Sequence, residues 1–198
     1  MKIGIFILPP SILKNKILIE KKHIKKKFGN QTYLSHPPHL TIFVFETEKK
    51  NEKNIKKIKT FKHKGKIKFK LKNLSLFKND ISTNQTTVFY KVKKSRNHNS
   101  FQKKIIEIFS YFIDSLPKDS TFKNDAMNEN YLKYGYPFIG INWKPHFTLA
   151  SVNKTVVKNT YFKSLLHQKI EFEFVVKQIG IYRISGDKHT LINRINII

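Results

Sequence analysis

The 198-residue chain is 39% apolar and 13% aromatic, enough for one packed domain of above-average size and too apolar for a disordered polycation. Cysteine is absent, which excludes a disulfide framework, a thiolate metal site and a cysteine nucleophile. The formal charge of +26 favours anionic ligands over cationic ones.

The chain opens on the apolar run Ile3-Gly4-Ile5-Phe6-Ile7-Leu8, which Pro9-Pro10 stops. The run is too short for a signal-peptide core, no small-x-small site follows it, and it reads as a buried first strand. No stretch reaches membrane-spanning length, so the cytoplasm is the expected compartment. Ser11 is placed to cap a helix over 12–27, where Ile12, Leu13, Ile17, Ile19 and Ile24 stand among lysines, and Gly29 to end it. Residues 39–45 read as a strand. Residues 51–61, with Ile55, Ile58 and Phe61 at helical spacing, read as a short basic helix. Residues 67–71 alternate apolar and basic, and 74–77 and 87–92 are further strands.

The second half repeats this order. A helix over 101–116 carries Ile105, Ile106, Phe109, Phe112 and Ile113, and Pro117 stops it. The polar stretch 118–133 reads as a loop insertion, 138–141 as a short strand, and 146–152 as a strand matching 39–45. A helix over 155–166 follows, then an alternating segment at 170–176 and closing strands at 178–184 and 190–197. The repetition predicts an α+β, bilobed, pseudo-twofold duplicated fold: two antiparallel sheets around a central cleft, helices outside. The first lobe would cover about residues 1–92 and the second about 93–198 of one domain.

The matching strands carry matching words, Pro38-His39-Leu40-Thr41-Ile42 and Pro145-His146-Phe147-Thr148-Leu149. Residues i and i+2 of a strand share a face, so each segment puts one imidazole and one hydroxyl together. A lone His-x-Thr or His-x-Ser means little among eight His; His98-Asn99-Ser100, without strand-like flanks, is set aside as chance. Either His alone reads as a structural residue at a strand edge. The recurrence of the whole pattern argues otherwise.

On those two motifs the chain resembles the 2H phosphoesterase superfamily, which includes 2′-5′ RNA ligase-like proteins and 2′,3′-cyclic nucleotide phosphodiesterases. That superfamily is defined by two His-x-Thr/Ser-x motifs in the lobes of a bilobed α+β fold, and both are intact here. The resemblance implies that His39 and His146 are the acid and base and that Thr41 and Thr148 bind phosphoryl oxygens.

The residues support that chemistry independently. An unperturbed imidazole titrates near pH 6.5, so one neutral and one protonated His can coexist near neutrality. Hydroxyls two residues along can donate to non-bridging oxygens where charge builds up. The attacking group is either water on a 2′,3′-cyclic phosphate or a ribose hydroxyl on a phosphodiester, and the same site could run in reverse as a 2′-5′ ligase. The sequence leaves open which His is acid.

A zinc site would want three or four ligands. Near the motifs there is only His36, in His36-Pro37-Pro38-His39, so no metal and no cofactor are expected; His23, His63, His167 and His189 read as surface residues.

Candidates for substrate binding are Phe43, two residues past Thr41; Tyr134 and Tyr136 ahead of the second motif; Trp143 and Lys144 beside it; and Tyr182 and Arg183. The expected partner is RNA or a nucleotide bound by a monomer, with no membrane. The leading function is a metal-independent phosphodiesterase acting on RNA 2′,3′-cyclic ends or 2′-5′-linked or cyclic nucleotides. A hydrolase of a signalling cyclic oligonucleotide, and a non-catalytic basic RNA-binding protein on the same scaffold, are the alternatives. The charge could also be compositional, because only Arg96, Arg183 and Arg194 are Arg and abundant Ile and Asn suit an AT-rich coding sequence.

Overall fold

The computed structural model describes residues 1–168 and 170–198 and builds two sheets with helices packed against them. In chain order the elements are β1 (Lys2–Ile7), α1 (Ser11–Phe28), β2 (Leu40–Glu46), α2 (Glu52–Lys57), β3 (Thr60–Phe61), β4 (Lys68–Phe77), β5 (Thr86–Val92), α3 (Arg96–Ser110), α4 (Asp125–Tyr134), β6 (His146–Val152), α5 (Lys154–Val157), α6 (Thr160–His167), β7 (Phe172–Val175), β8 (Gln178–Ser185) and β9 (Lys188–Ile197). The first sheet runs β2-β1-β8-β9-β3 and the second β6-β5-β4-β7. Pairing is antiparallel except for the two residues of β3, which run parallel to β9.

Two consequences matter for the site. Each motif strand is the outermost strand of its sheet, and β2 and β6 approach to within 8 Å, Cα to Cα. The sheets also do not divide at the middle of the sequence: β8 and β9 close the first sheet, while β4 and β5 belong to the second. No described helix is long and apolar enough to cross a membrane.

Several elements depart from their sequence reading for local physical reasons. Ser11 does not cap α1; the Pro10 carbonyl accepts the first helical hydrogen bond, from Lys14 N–H at 2.9 Å, which makes Ser11 the first helical residue. Gly29 does end the helix, at φ +73°. The helix expected over 51–61 stops at Lys57, where Asn193 of β9 donates to the Ile58 carbonyl at 2.7 Å, and 60–61 joins the sheet as β3. Residues 67–71 and 74–77 form one strand, β4, whose register slips between Leu71 and Leu74 and leaves Lys72 and Asn73 both exposed. Helix α4 lies within the expected loop 118–133, capped by Asn124 on Met127 N–H at 3.0 Å. Residues 138–141 form no strand and lead into a 3₁₀ turn at Gly140–Asn142. The helix expected over 155–166 is split into α5 and α6, because Asn159 accepts from Tyr161 N–H at 2.9 Å and starts a new helix.

The polar run that holds His98-Asn99-Ser100 is the start of α3, five residues earlier than the apolar pattern predicts. Ser95 Oγ accepts from His98 N–H, while His98 Nδ1 accepts from Ser95 N–H at 3.1 Å, a reciprocal capping box. His98 Nε2–H donates to the Lys68 carbonyl at 2.6 Å, and its ring stacks on Phe69 at 4.2 Å.

This arrangement needs a neutral imidazole, and burial holds the His98 pKa below its ordinary value. Above pH ~6.5 neither the folded nor the unfolded state carries that proton; below it the unfolded state takes one up and the folded state resists, so stability falls. Denaturant midpoints should therefore drop between pH 7 and pH 5, and drop less in His98→Gln, whose amide can reproduce both bonds without titrating. Equal drops would refute the assignment.

Candidate functional site

The two motifs have the same backbone irregularity. In β2, Phe6 pairs with Thr41 and Ile5 with Phe43, so Ile42 has no partner. In β6, Phe89 pairs with Thr148 and Val88 with Ala150, so Leu149 has none. Each is a β-bulge at the residue after the motif Thr, and each flips the strand's alternation there. His39, Thr41, His146 and Thr148 are half-buried, their apolar neighbours buried. The bulge corrects the reading of Phe43: it does not share a face with Thr41 but turns into the core, fully buried against Phe45 at 5.2 Å.

Matching phenylalanines lie under the histidines. Phe6, across from Thr41, stacks on His39 with ring centroids 4.0 Å apart. Phe89, across from Thr148, is 4.9 Å from His146 and stacks on Phe77 at 3.9 Å; Phe77 meets His146 edge-on at 5.0 Å. Sequence reasoning missed Phe6, Phe77 and Phe89, because their place depends on strand register and on no local pattern.

Both rings are held alike. His39 Nδ1–H donates to the Pro37 carbonyl at 2.7 Å and His146 Nδ1–H to the Lys144 carbonyl at 2.6 Å. A carbonyl can only accept, so Nδ1 carries a proton in both and Nε2 is the atom free for proton transfer.

Their electrostatic surroundings differ. Burial pushes the pKa of both rings down, against the pull of the carbonyls. Around His39 the positive charges of His189, His36 and Lys21 push further down; at His146 the Asp80 carboxylate pulls up. His189, read from sequence as a surface residue, packs 5.1 Å from His39 and 4.7 Å from His36 with its Nδ1 buried and unpartnered. His36 in turn is 3.0 Å from Asp187, a carboxylate that only the fold brings to the motif. His63, likewise read as surface, packs its ring edge-on against Phe101 at 5.6 Å with both ring nitrogens buried. Among the described residues no group of three or more His, Cys, Asp or Glu is placed to hold a metal ion.

Two buried side chains tie the halves together. Trp143, expected to flank the substrate, is 2% exposed and donates its indole N–H to the Thr41 carbonyl at 2.9 Å. Gln102 of α3 is fully buried, donates to the Ile42 and Phe138 carbonyls, each at 3.0 Å, and accepts from Gly140 N–H at 3.0 Å. The Thr41 carbonyl is thus bonded directly to the segment that leads into the second motif, and the Ile42 carbonyl is tied to it through Gln102.

The remaining candidates divide. Lys144 is exposed beside His146, its ammonium 6.0 Å above the Phe77 ring. Tyr182 is half-buried, 5.5 Å from Phe6, on the face of the first motif. Arg183 points to the other face and pairs with Glu52 at 3.1 Å, a structural ion pair. Tyr136 packs edge-on against Phe43 and Phe138, and Tyr134 lies half-buried against the core under Lys133.

The family profile described as the 2′-5′ RNA ligase superfamily matches residues 12–188. The fold is similar to that of TT0787 of Thermus thermophilus, with a TM-score of 0.60 at 13% identity over 99% of this chain and 97% of that one. It is also similar to E. coli LigT, solved with 3′-AMP (TM-score 0.54, 12% identity, 99% and 97% covered) and with NADP+ (0.53, 12%, 99% and 96%). No curated protein matches the chain by sequence.

Trp143→Phe keeps the ring and removes the donor. It is expected to cost about 1–3 kcal/mol of stability, for a buried carbonyl left unpaired. Because it also frees the two motifs to shift, kcat should fall by roughly tenfold or more under conditions where the variant is fully folded. Unchanged kcat in a folded variant would show that this bond does not position the motifs.

Proposed function

The chain belongs to the 2′-5′ RNA ligase superfamily, and on that footing we propose that it is a metal-independent phosphodiesterase in which His39 is the base and His146 the acid. The observation carrying this reading is the matched pair of motifs: two Nδ1-anchored imidazoles, each with a hydroxyl two residues along, on edge strands that approach to within 8 Å.

For a 2′,3′-cyclic phosphate, His39 Nε2 takes a proton from water as its oxygen attacks phosphorus. His146 Nε2–H gives a proton to the departing ribose oxygen, leaving a phosphomonoester and the two rings with their protons exchanged. Thr41 and Thr148 donate to the non-bridging oxygens, where negative charge accumulates. A ribose hydroxyl in place of water runs the same steps toward transesterification, and their reversal makes the bond.

The unequal surroundings support the role assignment. Lys21, and His36 and His189 whenever they are protonated, favour the neutral, proton-accepting form of His39, while Asp80 favours the protonated form of His146. Burial lowers the pKa of both rings; the negative charge of a bound phosphate acts in the opposite sense and raises both toward neutral pH. Tyr182 and Phe77 are the aromatic side chains best placed to stack on a base. Tyr182 lies across from Gly4 and Phe77 across from Thr87, each pairing two residues before the phenylalanine beneath its His.

Turnover should persist in chelator on a panel of 2′,3′-cyclic ends, 2′-5′ linkages and cyclic dinucleotides. His39→Ala and His146→Ala should each lower kcat by about 10²–10⁴-fold. Binding without turnover, or turnover unaffected by both substitutions, would favour a non-catalytic RNA-binding protein. The acid and base roles have their own test. Asp80→Asn removes the charge that raises the His146 pKa, so the alkaline limb of the kcat profile should move to lower pH while the acid limb stays. Movement of the acid limb instead would exchange the two roles.

A further inference from the structure

The two halves of the cleft match in His, Thr and Phe but not in charge. On β5, Lys91 pairs directly with His146 and stands two residues past Phe89. The corresponding position of the first half, two residues past Phe6, is Leu8. From Lys91 a groove of about 520 Å³ opens across the second sheet, lined by Lys93, Lys70, Lys72, Asn73 and Ser75 among others. Cross-strand partners share a face, and Ser75 pairs with Phe89, so the groove lies on the face that carries the second motif. The register slip in β4 keeps it there: Leu71 and Leu74 both point to the core, and Lys72 and Asn73 both point out.

The lysines lining this groove form no ion pair with a described residue, as is true of most described lysines, so what sets them apart is their place beside the second motif. Lys68 is 3.8 Å from Glu173, and Lys50, Lys56 and Lys103 also have carboxylate partners. Among the described residues, Lys70, Lys72, Lys91 and Lys93 have no carboxylate within 4 Å, although Glu171 lines the rim. Lysines at alternate positions of a strand are roughly 7 Å apart, comparable with the step between phosphates of an extended single strand.

We propose that Lys91, Lys93, Lys70 and Lys72 form a track for the phosphate backbone of an RNA strand that leaves the catalytic cleft on the His146 side. The inference rests on the phosphodiesterase reading above and narrows it: the preferred substrate is the end of a strand, not a free mononucleotide. The track also gives the pseudo-symmetric site a direction, since Lys91 opens into a basic groove where the matching position of the first half is Leu8.

The test compares a 2′,3′-cyclic mononucleotide with an RNA oligonucleotide ending in the same cyclic phosphate. The track variant is Lys70→Gln/Lys72→Gln/Lys93→Gln. The control, Lys62→Gln/Lys64→Gln/Lys104→Gln, removes equal charge from a second lysine-lined groove beside β3, at the far edge of the first sheet. The ratio of kcat/KM for oligonucleotide over mononucleotide should fall at least tenfold in the track variant and stay put in the control. The log–log salt slope of oligonucleotide binding should become shallower by about 2 in the track variant alone, at roughly 0.7 per single-stranded phosphate contact. Equal losses in both variants would show that bulk charge is responsible, and an unchanged ratio would likewise overturn the track. If the unsubstituted protein turned over neither substrate, the catalytic reading would fail, and the salt slope of binding would still decide the track by itself.

Discussion

The site depends on how one sheet edge is bonded to the chain that enters the other. Two sheets joined only by packing could slide, and a slide of an ångström would spoil the alignment of the two motifs that the proposed reaction needs. Here the Thr41 and Ile42 carbonyls, at the first bulge, accept from Trp143 and Gln102, and both donors sit in or clamp the segment that ends in the second motif. These are buried bonds between groups that water cannot reach, so an alternative alignment would leave carbonyls, an indole and an amide unpaired. The chain topology adds to this, since each sheet borrows strands from both halves of the sequence.

Given that alignment, the bulges set the shape. Each lets a strand show His and Thr on one face and then bury the residue two places past Thr, so the motif face is two residues wide with the core resuming at once behind it. The phenylalanine across each strand fills the space below the ring, and the carbonyl two residues back fixes its tautomer. Geometry is therefore duplicated. Charge is not, because the groups that reach each ring come from unrelated parts of the chain: His36, His189 and Lys21 on one side, Asp80 on the other. A duplicated frame with unequal surroundings is what acid and base roles on two identical side chains require.

The same distinction orders the basic surface. A net charge of +26 in a chain with three arginines says little about any one lysine. Position does. Lysines that pair with carboxylates or project from helices far from the cleft add to a diffuse field, whereas those that line a groove on the face of His146 can hold successive phosphates of one strand.

The sequence by itself determined the elements with strong local signals and the four residues of the motif pair. Alternation, helical spacing and Gly29 located β1, α1, β2, β5, β6, β8 and β9 to within a few residues, and the repeated five-residue word marked His39, Thr41, His146 and Thr148. Adjacency to the second motif brought Lys144 into view, and a strand predicted late in the chain brought Tyr182, which packs on Phe6 beneath His39. The sequence misassigned what depends on partners far along the chain. Phe43 went to the core because a bulge, visible only in the ladder with β1, reversed its face. Trp143 became a strut and Arg183 a surface ion pair, because Thr41 and Glu52 reach them only in the folded molecule. Phe6, Phe77, Phe89, His189 and the lysine groove had no local signature at all. Side-chain type and period are local properties of the chain. Strand order, register and the one-residue slips that decide which face a side chain takes are set by long-range pairing, and only the tertiary structure fixes them.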